Sequence, residues 1–138
     1  MKYFFDTNII IDIFNEKDDA IKKLEEILIK ENSEIFINRL VYLEALRTIR
    51  FKNKKIFRKA KTILDSFEKL DITQEVYDKA VNFSRYCHSK GVKLKGECEA
   101  IDFLHFITAK EYNLMMISND KDLEKLEEQY RELPLAKE

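Results

Sequence analysis

The sequence of 138 residues is poor in the residues that mark special fold classes, with two cysteines, two glycines, one proline and no tryptophan. Cys87 and Cys98 stand too far apart for a Cys-x-x-Cys redox or zinc pair, and a reducing cytosol disfavours a bridge between them. Both are expected as small core residues. Long hydrophobic runs are lacking too. Stretches such as Leu40-Val41-Tyr42-Leu43 fall far short of a membrane span, and an acid already stands at Asp6, where a secretory leader would be apolar. The expectation is a soluble, cytoplasmic protein with no membrane partner. Scarce Gly and Pro beside abundant Lys, Glu and Ile fit a thermophilic composition, although compositional bias alone gives the same picture. A chain of this length reads as one domain, residues 1–138, able to bury roughly two-thirds of its unfolded surface without disulfides.

Excess charge of one sign is also missing: the formal net charge is −1, so nucleic acid cannot be held by bulk charge alone. The charges are nevertheless segregated. From Ala45 to Leu64 there is no acid, and the stretch carries Arg47, Arg50, Lys52, Lys54, Lys55, Arg58, Lys59 and Lys61, whereas Asp120 to Glu132 is predominantly acidic. Such a basic block is ordinarily a solvated helix face, and it points to phosphate only beside an acidic, metal-binding cleft.

What is present is a regular alternation of strand and helix. Lys2 to Phe5 reads as a first strand and Asn8 to Phe14 as a short helix. Asp18 to Lys30 follows as an amphipathic helix with Ile21, Leu24, Ile27 and Leu28 at helical spacing. Glu34 to Ile37 is a brief strand, then helices run from Leu40 to about Phe51 and from Asn53 to Glu68, the second burying Ile56, Phe57, Ala60, Ile63, Leu64 and Phe67. Leu70 to Ile72 is a short strand, Thr73 an N-cap, and Gly91 the end of the helix through Val76, Ala80, Phe83 and Tyr86. Val92 to Glu97 reads as a surface loop. Cys98 to Tyr112 is a helix, Leu114 to Ile117 a strand, and Asp120 opens a last short helix. The fold class this predicts is α/β, a central, mostly parallel sheet of 4–5 short strands flanked by helices on both faces, without repeats or linkers.

Within that frame the acids stand out. Asp6 ends the first strand, where open α/β sheets gather ligand-binding residues, and Asp120 lies just beyond the strand Leu114 to Ile117. Glu44 interrupts an apolar helical face, and Asp102 begins the most hydrophobic helix. Buried carboxylates are costly unless they pair, protonate or coordinate a cation. No Arg or Lys stands at helical spacing to neutralise Asp102 on that apolar face, and oxygen-only donors suit magnesium or manganese rather than zinc. The plain alternative for an isolated Asp6-Thr7-Asn8 is a helix cap.

Taken in order, Asp6-Thr7-Asn8, Glu44-Ala45-Leu46, Asp102-Phe103-Leu104 through Thr108-Ala109, and Ser118-Asn119-Asp120-Lys121-Asp122-Leu123 give the chain its resemblance. It resembles the PIN-domain ribonucleases, and in size and layout the VapC toxins of toxin–antitoxin pairs. The resemblance implies hydrolysis of RNA phosphodiesters by an acidic cluster holding one or two Mg2+ or Mn2+ ions. It casts Asp6, Glu44, Asp102 and Asp120 as catalytic acids and metal ligands, Glu44 directly or through water. Thr7, Asn8 and Ser118 would hold the carboxylates in place, Asp122 is a rival to Asp120, and Glu99, one turn before Asp102, is an auxiliary acid. Arg47, Arg50, Lys52, Lys54 and Lys55 would guide RNA. A cognate antitoxin and a homodimer are the implied partners. The chain departs from its relatives at His105-Phe106-Ile107, where they carry small residues, so that helix must pack differently.

Other readings stay open at this stage. One is a PIN nuclease in RNA processing or quality control without a toxin role, and another a non-catalytic PIN-like RNA-binding module, against which the four retained acids speak. A haloacid-dehalogenase type of phosphotransferase wants a second Asp two residues after the first, where this chain has Asn8. A receiver domain phosphorylates an Asp that ends a later strand.

Overall fold

Strand β1 (Lys2–Phe5) is buried on both faces, with Tyr3, Phe4 and Phe5 each at most 2% exposed. An apolar run without alternation belongs in the interior of a parallel sheet. The computed structural model describes residues 1–95 and 98–133, and they fall into two compact units. The first holds Met1–Asp71 and Asn113–Asn119; the second holds the described residues of Ile72–Tyr112 and residues 120–133.

The first unit is built on a four-stranded parallel sheet. β1 pairs with β2 (Glu34–Asn38) on one side and β4 (Met115–Ile117) on the other, and β3 (Glu68–Leu70) lies outside β2, giving the order β3-β2-β1-β4. Phe4 stands opposite Phe36 on β2 and Met116 on β4. The Asp6 N–H donates to the Ile117 carbonyl at 3.0 Å, carrying the β1–β4 ladder one residue past the strand. Because the chain proceeds to β2 on one side of β1 and returns as β4 on the other, the order reverses at β1. The crevice beyond such a reversal is where open parallel sheets bind their ligands.

Helices α1 (Thr7–Phe14), α2 (Asp18–Leu28), α3 (Arg39–Leu46) and α4 (Lys54–Asp65) complete this unit. The helix expected to reach Phe51 stops at Leu46. Thr48 turns its hydroxyl back onto the Ala45 carbonyl at 2.7 Å, and Asn53 opens the next helix by accepting from the Ile56 N–H at 3.4 Å. The start of α4 stands proud: Ile56 and Phe57, expected inside, are 46% and 39% exposed, and the buried stripe begins at Ala60 and Leu64. The strand expected at Leu70 to Ile72 lies two residues earlier because its register is set by β2, where Phe36 faces Glu68.

The second unit consists of α5 (Gln74–Ser89), α6 (Glu99–Glu111) and α7 (Leu123–Glu132). Thr73 caps α5 as predicted, its hydroxyl accepting from the Val76 N–H at 3.2 Å. At the other end the Gly91 and Val92 N–H groups reach the carbonyls of His88 and Cys87, both at 3.0 Å, with Gly91 at φ +72°. That paired arrangement is a Schellman closure, which wants glycine at its left-handed residue. Residues 96 and 97 of the predicted loop Val92 to Glu97 lie outside the described residues. Phe83 stacks on Phe106 at 5.5 Å and meets Phe103 and Tyr130 edge-on, both at 5.7 Å. Of the bulky His105-Phe106-Ile107, Phe106 is thus accommodated by aromatic packing against Phe83 of α5 and Tyr130 of α7. Among the described residues no helix is long and apolar enough to cross a membrane.

The two cysteines part company. Cys87 is buried as expected, whereas Cys98 is exposed just before α6 and is not a core residue. Burial, with the Glu99 charge adding to it, pushes the Cys87 thiol up to about 11. A thiol reagent at pH 8 should therefore modify one cysteine per native chain, Cys98, with Cys87 reacting only after unfolding; two equally fast thiols would contradict this packing. Gly91→Ala should cost about 1–2 kcal/mol in denaturant unfolding. The cost is backbone strain, since a Cβ there would meet nothing within 4 Å.

Candidate active site

Asp6 follows β1 directly and is 5% exposed. It is also the N-cap residue of α1, so the cap reading and the site reading apply to the same side chain. Its Oδ1 accepts from the Thr7 N–H at 2.8 Å, and its Oδ2 accepts from the Ser118 hydroxyl at 3.0 Å. These two donors are neutral, so they fix the carboxylate without cancelling its charge. Thr7 also reaches the other way: its hydroxyl donates to Glu44 Oε1 at 2.7 Å, drawing a side chain from the middle of α3 to the end of β1. One residue therefore couples two carboxylates that are 38 positions apart in sequence.

Asn8 lies beside this pair. Its Oδ1 accepts from the Ser118 hydroxyl at 3.2 Å and from the Asn119 N–H at 3.3 Å. Ser118 has a single hydroxyl proton to share, and the carboxylate of Asp6 is the stronger acceptor. Asn38, at the carboxyl end of β2, is fully buried and spends its side chain on the Val41 N–H at 2.8 Å, capping α3. That cap starts the helix that delivers Glu44.

Asp102 and Asp120 belong to the second unit. Asp102 is half-buried in the first turn of α6, where a carboxylate complements the exposed N–H groups of the helix start. Asp120 is half-buried as well, and its Oδ1 accepts from the Asp122 N–H at 2.9 Å, tying off the turn that leads into α7.

The two remaining acids hold a loop. Asp122 is 1% exposed; its Oδ2 accepts from the Lys95 N–H at 2.7 Å, and its Oδ1 lies 3.5 Å from the Lys125 ammonium, an ion pair longer than a hydrogen bond. Glu99 does the same work one residue earlier, its Oε2 accepting from the Leu94 N–H at 3.1 Å while its Oε1 meets His88 Nε2 at 2.6 Å. The Leu94 N–H, followed by His88, holds the Glu99 carboxyl below its usual range. Two carboxylates thus anchor successive amides of the segment between α5 and α6. Of the predicted basic residues, Arg47, Arg50, Lys52, Lys54 and Lys55 are all exposed, on and around the turn between α3 and α4.

The donor set around Asp6 and Glu44 is oxygen only, which fits a hard divalent cation. Magnesium keeps several of its waters and takes one or two carboxylates, so a pair suffices. Among the described residues no three or more His, Cys, Asp or Glu side chains form a group that could hold a metal ion. Two polar residues outside the predicted set join the constellation: Asn119 donates its side-chain amide to Asp12, one turn along α1 from Asn8. The sequence signal was available, since Asn8 and Asp12 are four apart on one helix and share a face.

No curated protein matches the chain. Among solved structures it is similar to a chain of the VapBC2 complex of Rickettsia felis, determined bound to a DNA fragment from their promoter. The TM-score is 0.75 at 22% identity, covering 91% of this chain and 92% of that one, which is a likeness of fold. In sequence the PIN domain family matches across residues 3–129, nearly the whole chain and every element from β1 into α7. The chain belongs to the PIN domain family.

Proposed function

We propose that the chain is a metal-dependent endoribonuclease of VapC type, the toxin of a toxin–antitoxin pair. The observation that carries this reading is the Thr7 bridge between Asp6 and Glu44 at the carboxyl end of β1, where the strand order reverses. Membership of the PIN domain family supports nuclease chemistry. The likeness to a VapBC complex supports an antitoxin partner.

Asp6 and Glu44 hold the divalent ion, with Asp102 and Asp120 assigned to the same set by their places in the family motifs. A bound Mg2+ or Mn2+ lowers the pKa of water and offsets charge that develops on the phosphate during hydrolysis. The chain's own residues supply the order. Thr7 fixes the rotamers of both carboxylates it touches, and Ser118 fixes the second oxygen of Asp6, so neither acid must reorganise when charge builds up. Arg47, Arg50, Lys52, Lys54 and Lys55 meet the RNA backbone. They are exposed, cationic and carried on a stretch without acids, which is the footprint of phosphate binding rather than base reading. A homodimer and a cognate antitoxin complete the reading, and a second copy would double the basic surface offered to one RNA.

Cleavage of a structured RNA should require Mn2+ or Mg2+ and disappear with chelator. Partners that merely orient metal ligands already cost about 10–100-fold, so Asp6→Asn and Asp102→Asn should each lower kcat by more than about a hundredfold with the circular dichroism spectrum unchanged. Equal cutting by wild type and both variants would mean a contaminating nuclease and end the proposal. RNA bound without any turnover would favour a binding module instead. Co-expression with the product of a short neighbouring reading frame should abolish cleavage; activity that persists would favour the processing role.

Exchange of Arg47, Lys52 and Lys55 for Gln should flatten the salt dependence of RNA binding. With about 0.7 per phosphate contact on single strands, the slope of log K against log salt should drop by about 2. An unchanged slope removes these residues from the RNA interface.

A further inference from the structure

The segment that supplies Ser118 follows the edge strand β4, which is three residues long and, among the described residues, pairs only with β1. Ser118 and Asn119 belong to neither strand nor helix. An unsupported stretch beyond a short edge strand is where local opening is easiest, and a hydroxyl that rotates about its own bond aims no better than its backbone is held. Something must hold it.

Two side chains of α1 do so. Asn8 Oδ1 accepts from the Asn119 N–H at 3.3 Å beside the Ser118 hydroxyl, and one turn later Asp12 Oδ2 accepts from the Asn119 side-chain amide. A carboxylate can only accept at neutral pH, so the amide nitrogen of Asn119 must be the atom that faces Asp12. The other oxygen of Asp12 lies 3.3 Å from the Lys17 ammonium, and its backbone carbonyl accepts from the Lys17 N–H at 3.0 Å. A polar run thus leads from Lys17 through Asp12 to Asn119, whose N–H is held by Asn8 and whose chain neighbour Ser118 donates to Asp6. Its outer end opens on a cleft of about 870 Å3 lined by Asp12, Lys17, Lys23, Met116, Ser118 and Asn119.

We infer that Asp12 and Asn119 are positioning residues for the Asp6 carboxylate: their bond latches the Ser118–Asn119 segment to α1 and so keeps the Ser118 hydroxyl on Asp6. This rests on Asp6 being a metal ligand. Neither residue touches metal or RNA in this scheme; both act through Ser118. Were Asp12 only a turn residue for the junction of α1 and α2, its contacts with Lys17 would suffice and Asn119 would be dispensable.

The test uses the full chain with Mn2+ as probe, its affinity read from free-ion electron paramagnetic resonance beside Tm and cleavage kinetics. Asn119→Asp sets a carboxylate against Asp12 and breaks the latch. The Mn2+ dissociation constant should rise about tenfold, in the range expected for a partner that orients a metal ligand. kcat should fall while KM for RNA holds, and Tm should stay within a few degrees because Asn119 is exposed. Asp12→Asn keeps an acceptor and should behave like wild type. In the pair Asp12→Asn with Asn119→Asp, donor and acceptor change places, and Mn2+ affinity should return.

Wild-type Mn2+ affinity in Asn119→Asp would overturn the inference. So would a loss that the paired exchange does not restore. If Asp6→Asn binds Mn2+ as tightly as wild type, the metal reading itself falls and takes the latch with it; a latch failure with Asp6-dependent binding intact leaves that reading standing.

Discussion

A carboxylate that is nearly buried at the end of the central strand sets the terms for everything near it. Asp6 cannot keep its charge in that position without donors, and it receives them from the first amide of α1 and from the hydroxyl that follows β4. The parallel pairing of β1 with β4 makes this possible, because it brings two chain segments more than a hundred residues apart to the same level, with the Asp6 N–H bonded to the Ile117 carbonyl. Thr7 then reaches from the same helix start to Glu44, so the strand end, α1 and α3 are joined through the two hydrogen bonds that Thr7 donates. Both carboxylates are thus oriented by donors that belong to the chain itself.

The helical unit shows the same economy with a different purpose. Glu99 and Asp122 each give an oxygen to a loop amide, at Leu94 and at Lys95, and each balances its remaining oxygen with a base, His88 or Lys125. These acids stand within three residues of Asp102 and Asp120, yet their geometry makes them loop anchors. Proximity along a helix is therefore a poor guide to shared chemistry here. Beneath them the aromatic cluster of Phe83, Phe103, Phe106 and Tyr130 sets how α5, α6 and α7 pack, and Phe106 fills the place where a smaller residue would have left a void.

Local signals were the reliable ones. Thr73 and Gly91 bound α5 as their chemistry demands, the one offering an oxygen to a helix amide and the other accepting a left-handed backbone. That Asp6-Thr7-Asn8 and Ser118 follow strands was legible from the apolar runs before them, and the structure brings these residues into hydrogen-bond contact while Asp6 also caps α1. Misreadings came where periodicity stood in for packing. Ile56 and Phe57 have helical spacing with Leu64 but lie on the first turn of α4, which nothing in the sequence says stands clear of the core. Cys98 was assigned inside on residue type alone, and β3 was displaced by two residues because a three-residue strand takes its limits from its neighbour.

The sequence by itself determined the order of strands and helices, the capped ends of α5 at Thr73 and Gly91, and the positions of the acids along the chain, since these depend on propensity, capping and periodicity within a few residues. Only the tertiary structure decided which polar side chains meet. Whether Thr7 bonds Glu44, whether Asn119 finds Asp12, and whether Glu99 serves a loop amide are settled by strand register and helix placement. Those are global quantities, fixed when β4 docks beside β1 and α5 packs on α6, and no local pattern of residues encodes them.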